Sequence, residues 1–303
     1  MPRPTFFVLG APKCGTTALY QWLSAHPGVF LPAKELHHWG GDLHHRRPAR
    51  SLAAYEALFD GARPDQVVGE VAVWYLMSEA APEELRAWSP QARVIAMLRS
   101  PVELIESLHS QLLYSGEEDL TDLAAALAAQ DDRRAGRRIP RSTHAGLEAP
   151  PDECLQYRRV VDFAPQVRRW RQALGPERVL VLLQDELKAD PAGTWARVVD
   201  FIGADPAFTP DFTVVNPNKR AKSQAARKLI QGLRWGPWNR LVPRGRLRTA
   251  FRQGFERLQA LNTSFERRPA GDPAVRAALR AELLPGIEAL EKELGRDLSA
   301  WKR

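Results

Sequence analysis

Long apolar runs are missing from this 303-residue chain. No stretch approaches the roughly eighteen apolar residues of a membrane-crossing helix, and the N-terminus enters a strand-like run without a secretory-leader pattern. A soluble, cytoplasmic protein is expected. Cysteine is scarce as well: the two residues, Cys14 and Cys154, supply neither a disulfide framework nor clustered metal spacing, which suits a reducing compartment. Histidine gathers only at His37, His38, His44 and His45, where adjacent pairs with Asp42 nearby make poor ligand geometry, so no metal is expected. There is no internal repeat. Zinc-finger, RNA-recognition and helix-turn-helix signatures are absent around the basic residues, so a nucleic-acid partner is not expected.

What is present begins with charge. Forty-three Lys and Arg against 36 Asp and Glu give a formal net charge of +7, which suits an anionic ligand. The basic residues are densest from Lys219 and Arg220 to Arg252, mostly as a solvated surface with a few members turned toward a phosphate. With 44% hydrophobic residues, the chain can bury the core of one elaborated domain spanning residues 1–303. Short β-rich runs at Phe6–Leu9, Val67–Glu70, Val94–Leu98 and Val179–Leu183 alternate with helical patterns. These patterns lie at Thr17–Ala25, Pro82–Trp88, Val102–Tyr114, Leu120–Ala129 and Leu155–Leu174, and a last one covers Pro273–Leu294. Buried strands separated by helices predict an α/β fold with a parallel sheet covered on both faces, whose ligands collect at the strands' carboxyl ends. Residues 115–151, with mixed charge, glycine and proline, read as an insertion or lid carrying one helix.

The first strand runs straight into Gly10-Ala11-Pro12-Lys13-Cys14-Gly15-Thr16-Thr17 and then a helix. Loop and helix N–H groups there converge on one spot, and the helix dipole adds positive charge, so an anion belongs in it. The nucleotide-kinase loop reads G-x-x-x-x-G-K-S/T; here Gly10 and Gly15 keep that spacing, but Thr16 stands where the lysine should be and Lys13 lies inside the loop. That departure counts against transfer of a β/γ-phosphate.

Pro12-Lys13-Cys14-Gly15-Thr16-Thr17 resembles the phosphosulfate loop of sulfotransferases that use 3′-phosphoadenosine 5′-phosphosulfate (PAPS). The resemblance extends from Phe6 to about Ser223 and implies a P-loop-like three-layer α/β/α sandwich. It also implies that Lys13, Cys14, Gly15, Thr16 and Thr17 cradle the donor's 5′ end and that no metal is required. Arg99, leaving the third predicted strand before Pro101, and Ser107, two turns along the following helix, match the pair that holds the 3′-phosphate in this family. From the residues alone, a guanidinium fork and a hydroxyl suit that role. Asn216-Pro-Asn-Lys219-Arg220 resembles the family's late basic loop, within a 216–260 closing and extension region, so Lys219 and Arg220 are expected to reach the same phosphate.

Lys34-Glu35-Leu36-His37-His38-Trp39 resembles the segment in which carbohydrate sulfotransferases carry their base. Glu35 inherits proton removal, and a carboxylate suits that task in a closed, partly dry pocket. His37 is the rival base or a positioning group. Heparan-modifying members carry E-K-T-P-x-Y after the second predicted strand, whereas this chain reads Glu70-Val71-Ala72-Val73-Trp74-Tyr75. Valine for lysine and the flat face of Trp74 imply a more apolar or aromatic-friendly acceptor pocket, for which Trp39, Glu70 and Trp74 are the expected wall. Glu70 is alternatively the base, or a group that orients Lys13. The acceptor is expected to be a hydroxyl of a carbohydrate, glycolipid or natural product. A P-loop nucleotide kinase or phosphotransferase, and a catalytically inactive nucleotide-binding protein, stay open.

Overall fold

In the computed structural model, Phe6, Phe7, Val8 and Leu9 are all fully buried, which an uninterrupted apolar run allows only in a strand covered on both faces. The structure describes residues 2–45, 49–140, 149–213 and 271–303, with the short pieces 219–221, 254 and 263–265. Five strands make the main sheet: β1 (Phe6–Gly10), β2 (Val29–Phe30), β3 (Val67–Val71), β4 (Arg93–Leu98) and β5 (Val179–Leu183). Their order is β2-β3-β1-β4-β5, and every pairing is parallel. Helices flank the sheet, as the alternating sequence pattern predicts. The register is held by close fit: Phe6 sits opposite Gly69, and a Cβ at Gly69 would lie 2.2 Å from the Phe6 ring.

Crossovers from β1 and β4 lead to opposite sides of the sheet, so the crevice beyond their carboxyl ends is a topological switch point. Two helices start there. Helix α1 (Thr16–Ala25) follows β1, and α4 (Pro101–Ser115) follows β4, with Pro101 in the first turn and a left-handed Gly116 as its C-cap. Between them in sequence lie α2 (Leu52–Glu56) and α3 (Ala81–Trp88).

The expected insertion holds two short helices, α5 (Leu123–Ala128) and α6 (Gln130–Arg134), where one was expected. Residues 141–148 of it lie outside the described residues. Helix α5 starts later than the apolar pattern suggests: Asp122 caps the N–H groups of Ala124 and Ala125, while Glu118 takes those of Asp119 and Leu120. Arg133 and Glu118, nearly inaccessible to solvent, pair at 2.6 Å, and the Tyr157 hydroxyl donates to the same carboxylate at 2.8 Å.

The helix expected over Leu155–Leu174 is broken into α7 (Tyr157–Val160) and α8 (Phe163–Leu174). Gln166 donates its side-chain amide to the Arg159 carbonyl at 2.7 Å, satisfying a group that the break sets free. Helices α9 (Gln184–Ala189) and α10 (Pro191–Ile202) follow β5, and α11 (Pro273–Leu294) packs on α8 and α4. Phe212, after α10, packs its ring edge-on to Trp22 at 4.9 Å. Strands β6 (Lys219–Ala221) and β7 (Thr263–Phe265) pair antiparallel, and β6 lies against α4. The basic run from Lys222 to Arg252 lies outside the described residues. No described helix is long and apolar enough to cross a membrane.

Candidate active site

The loop between β1 and α1 is shaped by its backbone. Gly10 (φ +120°) passes so close to the segment after β3 that a Cβ would lie 2.1 Å from the Val73 carbonyl oxygen. Gly15 (φ +96°) is the N-cap of α1 and brings no capping side chain, so the first N–H groups of that helix face the loop. The Ala11 N–H donates to the Met97 carbonyl at 2.7 Å, tying the loop to β4. The Lys13 carbonyl accepts from Gln184 at 3.2 Å and from Arg99 at 3.5 Å, which joins the ends of β1, β4 and β5 around one point.

Cations surround that point. Lys13 Nζ donates to Gln111 Oε1 at 3.2 Å, and Lys34 Nζ donates to the Thr17 hydroxyl at 3.2 Å. Arg99 holds Glu103 Oε2 through Nε at 3.0 Å and Nη2 at 2.7 Å. Ser107 is buried on α4, and the backbone of Lys219 and Arg220 runs beside that helix in β6. Thr16 is buried. Cys14 is fully buried with Sγ toward the Pro12 carbonyl, and burial pushes its thiol far up, so it serves as a small inert filler. Lys34 is the residue to which sequence reasoning gave no role; its position beside Glu35 was the available signal.

The second half of the site is the segment after β2. Glu35 continues the β3 edge: its N–H donates to the Val71 carbonyl at 2.9 Å, and its Oε2 accepts from the Val73 N–H at 3.0 Å. His37 Nε2 is 3.9 Å from Glu35 Oε2, and Lys34 Nζ is 3.8 Å from Oε1. Both His37 ring nitrogens are buried without a hydrogen-bond partner among the described residues, and the His45 ring lies 4.6 Å away. Burial, then the neighbouring His45 and Arg50, push the His37 imidazole down to about 3, so it is neutral at ordinary pH. Lys13, Glu35 and His37 have φ of +63°, +60° and +51°; among the described residues only Arg138 shares this conformation without being glycine. Such left-handed side-chain-bearing residues are costly and cluster at sites.

Glu70, expected at the pocket wall, is fully buried behind that segment. Its two oxygens accept from the hydroxyls of Tyr55 at 2.5 Å and Tyr75 at 2.7 Å. Tyr75 in turn accepts from the His38 and Trp39 N–H groups at 2.8 and 3.3 Å. The carboxylate therefore braces the segment and does not face a ligand, which corrects the expectation that it lines the pocket or acts as base. Burial pushes it up to about 7, against the two tyrosine bonds. Trp39 is buried as well, its indole donating to Tyr55 at 3.1 Å and its ring 5.1 Å from Trp88, so it too belongs to the brace. Trp74 is buried at the end of β3. Among the described residues, no three His, Cys, Asp or Glu side chains converge on a metal position.

A lysine-bearing glycine loop at the switch point, an arginine at the next strand end and a glutamate segment beside them match one family's pattern. The sequence profile described as "Sulfotransferase domain" covers residues 3–210. The chain belongs to the sulfotransferase family. This family takes PAPS as its donor, and the described residues suit such a ligand: the uncapped start of α1, two lysines, Arg99 and the buried Ser107 all offer donors and positive charge. Human heparan sulfate glucosamine 3-O-sulfotransferase 6 is 26% identical over 216 residues, which is 71% of this chain and 57% of that protein. Mouse bifunctional heparan sulfate N-deacetylase/N-sulfotransferase 4 is 28% identical over 218 residues, 68% of this chain and 23% of that one. The sulfotransferase domain thus spans little more than half the length of the first relative and about a quarter of the second. The crystal structure of a sulfotransferase from Alicyclobacillus acidocaldarius superposes over all of both chains with a TM-score of 0.73 and 26% identity.

Proposed function

We propose that this chain transfers the sulfuryl group of PAPS to a hydroxyl or amine of a glycan or small-molecule acceptor, by direct in-line displacement. The observation that carries the reading is the meeting of the Lys13 carbonyl with Arg99 and Gln184 at the β1/β4 switch point, with Glu35 anchored alongside on β3. When bound, PAPS supplies an activated sulfuryl group on a phosphate leaving group. Lys13, Thr16, Thr17 and the N–H groups at the start of α1 hold the charge that grows on that phosphate. Lys34, through Thr17, adds a second cation. Arg99 and Ser107 hold the 3′-phosphate, with Lys219 and Arg220 arriving on β6.

Glu35 takes the acceptor proton. His37, neutral and short of hydrogen-bond partners, is a poor base and a suitable hydrogen-bonding group for an acceptor. The relatives' names point to a saccharide acceptor, whereas Val71 at the lysine position and the buried Trp74 support a less anionic one.

The deciding experiment uses adenosine 3′,5′-bisphosphate and Glu35→Gln. Calorimetry should show metal-independent binding of the bisphosphate to both proteins, and a PAPS turnover assay over a panel of saccharide and phenolic acceptors should show about a 10²–10⁴-fold loss in the variant. A preference for Mg²⁺-ATP, or full turnover by Glu35→Gln, would overturn the reading.

A further inference from the structure

Two carboxylates stand beside the place assigned above to the donor's 3′-phosphate. On α4, Glu103 lies one helical turn before Ser107, and Glu106 is the residue next to it. A dianion held between Arg99 and Ser107 meets the negative field of both, so other cations must offset them for the site to hold it.

Each carboxylate has its own arginine. Arg99 holds Glu103, as described. Glu106, with 8% of its surface exposed, receives Arg276 Nη1 on both oxygens, at 3.0 and 2.8 Å. Arg276 arrives from 170 residues further along, in the first turn of α11. A cation there works against the macrodipole of its own helix, so helix stability does not explain it. The chain that enters α11 closes over the pair: a Cβ at Gly271 would lie 2.2 Å from Glu106 Oε1 and 3.8 Å from Arg276 Cδ.

The reach of Arg276 extends to the second carboxylate. Burial alone would raise Glu103, but Arg99, then Lys188 and Arg276, hold it below the usual carboxylate range. If Arg99 turns its fork to a phosphate, Lys188 and Arg276 are left beside Glu103. The Lys188 side chain is 58% exposed, where water and salt screen its charge, whereas that of Arg276 is 26% exposed. Arg276 is therefore the less screened of the two.

We propose that Arg276 is a positioning residue for the donor: it neutralises Glu106, and it takes up part of the charge of Glu103 when Arg99 turns to the 3′-phosphate, so that a dianion can settle at Ser107. This role rests on the reading of Arg99 and Ser107 as the 3′-phosphate site.

Titration calorimetry with adenosine 3′,5′-bisphosphate tests it. Arg276→Gln should weaken binding by about tenfold or more, and Arg276→Lys, which keeps the charge, by less than about threefold. Glu106→Gln removes the negative partner and keeps the cation, so it should bind at least as tightly as wild type. That sign separates charge from packing, because a clamp that merely steadied α4 would be loosened by Arg276→Gln and Glu106→Gln alike. Arg276→Gln leaves Glu106 buried and unpaired, which is strongly destabilising. Should that variant not fold, Glu106→Gln decides the matter. Undiminished binding to Arg276→Gln, or weakened binding to Glu106→Gln, would overturn the role of Arg276 while the donor site stands. Failure of the wild type itself to bind the bisphosphate would remove the donor site, and the role of Arg276 with it.

Discussion

The two halves of the candidate active site are held in place by different means. The 10–15 loop is fixed chiefly by its own backbone, through two glycines with positive φ and the Ala11 N–H bond to the Met97 carbonyl, and the Arg99 and Gln184 side chains close on its Lys13 carbonyl. The segment that bears Glu35 and His37 is fixed by side chains from far along the chain. Glu70, Tyr55 and Tyr75 support it from behind, Glu84 accepts the Gly40 and Gly41 N–H groups at 2.7 and 3.1 Å, and Glu153 accepts that of His44 at 3.0 Å. A cradle for an invariant phosphate needs little beyond main-chain N–H groups and glycine. A segment positioned by replaceable side chains can change while the cradle keeps its form, which suits the acceptor side proposed for it.

The largest effect should come where the halves touch. Gly10→Ala drives a Cβ into the Val73 carbonyl, and Val73 is also the residue whose N–H anchors Glu35. A loss of more than about 4 kcal/mol, read from denaturant unfolding, is expected. A stable variant would mean that the halves move independently.

Glu70→Gln separates the brace from the cradle through pH. The Glu70 carboxyl is raised from 4.5 to about 7, so between these values the folded protein holds a proton that the unfolded chain releases. Its contribution is complete below pH 4.5 and fades as pH rises through 7, on the order of 3 kcal/mol in all. Parallel unfolding curves from pH 5 to 8 should show wild type losing stability relative to Glu70→Gln as pH rises. Parallel profiles for the two proteins would show that Glu70 is not held toward its protonated form.

The smallest effect on the fold and the most selective one on the ligand belong to Arg99→Ala. Its bonds are an ion pair with the half-exposed Glu103 and a long 3.5 Å contact with the Lys13 carbonyl, so stability should fall by no more than about 1 kcal/mol. Affinity for the bisphosphate should fall by about 1.5–3 kcal/mol, the usual worth of a hydrogen bond to a charged group. Equal losses in stability and affinity would make Arg99 a structural brace as well.

Legibility in the sequence followed the range of the forces involved. β1, β3, β4, β5 and α11 could be located because continuous apolar runs and 3.6-residue periodicity are local properties. The two-residue β2 and the five-residue α2 are too short to carry a pattern, and the break between α7 and α8 is set by partners such as Gln166 on Arg159 and Arg158 on Glu282. As candidates for the site, Lys13, Arg99, Ser107 and Glu35 could be named from their motifs. Glu70 and Trp39 could be named as well, but their side of the segment could not be known.

The sequence by itself determined a parallel α/β sheet and a glycine loop with lysine inside it, because strand burial and backbone geometry depend on residues close along the chain. Only the tertiary structure decided that Glu70 is a sealed brace, that His37 is neutral and short of partners, and that Lys34 reaches Thr17. Each depends on burial and on contacts between segments distant in sequence or on different loops, which no local pattern encodes.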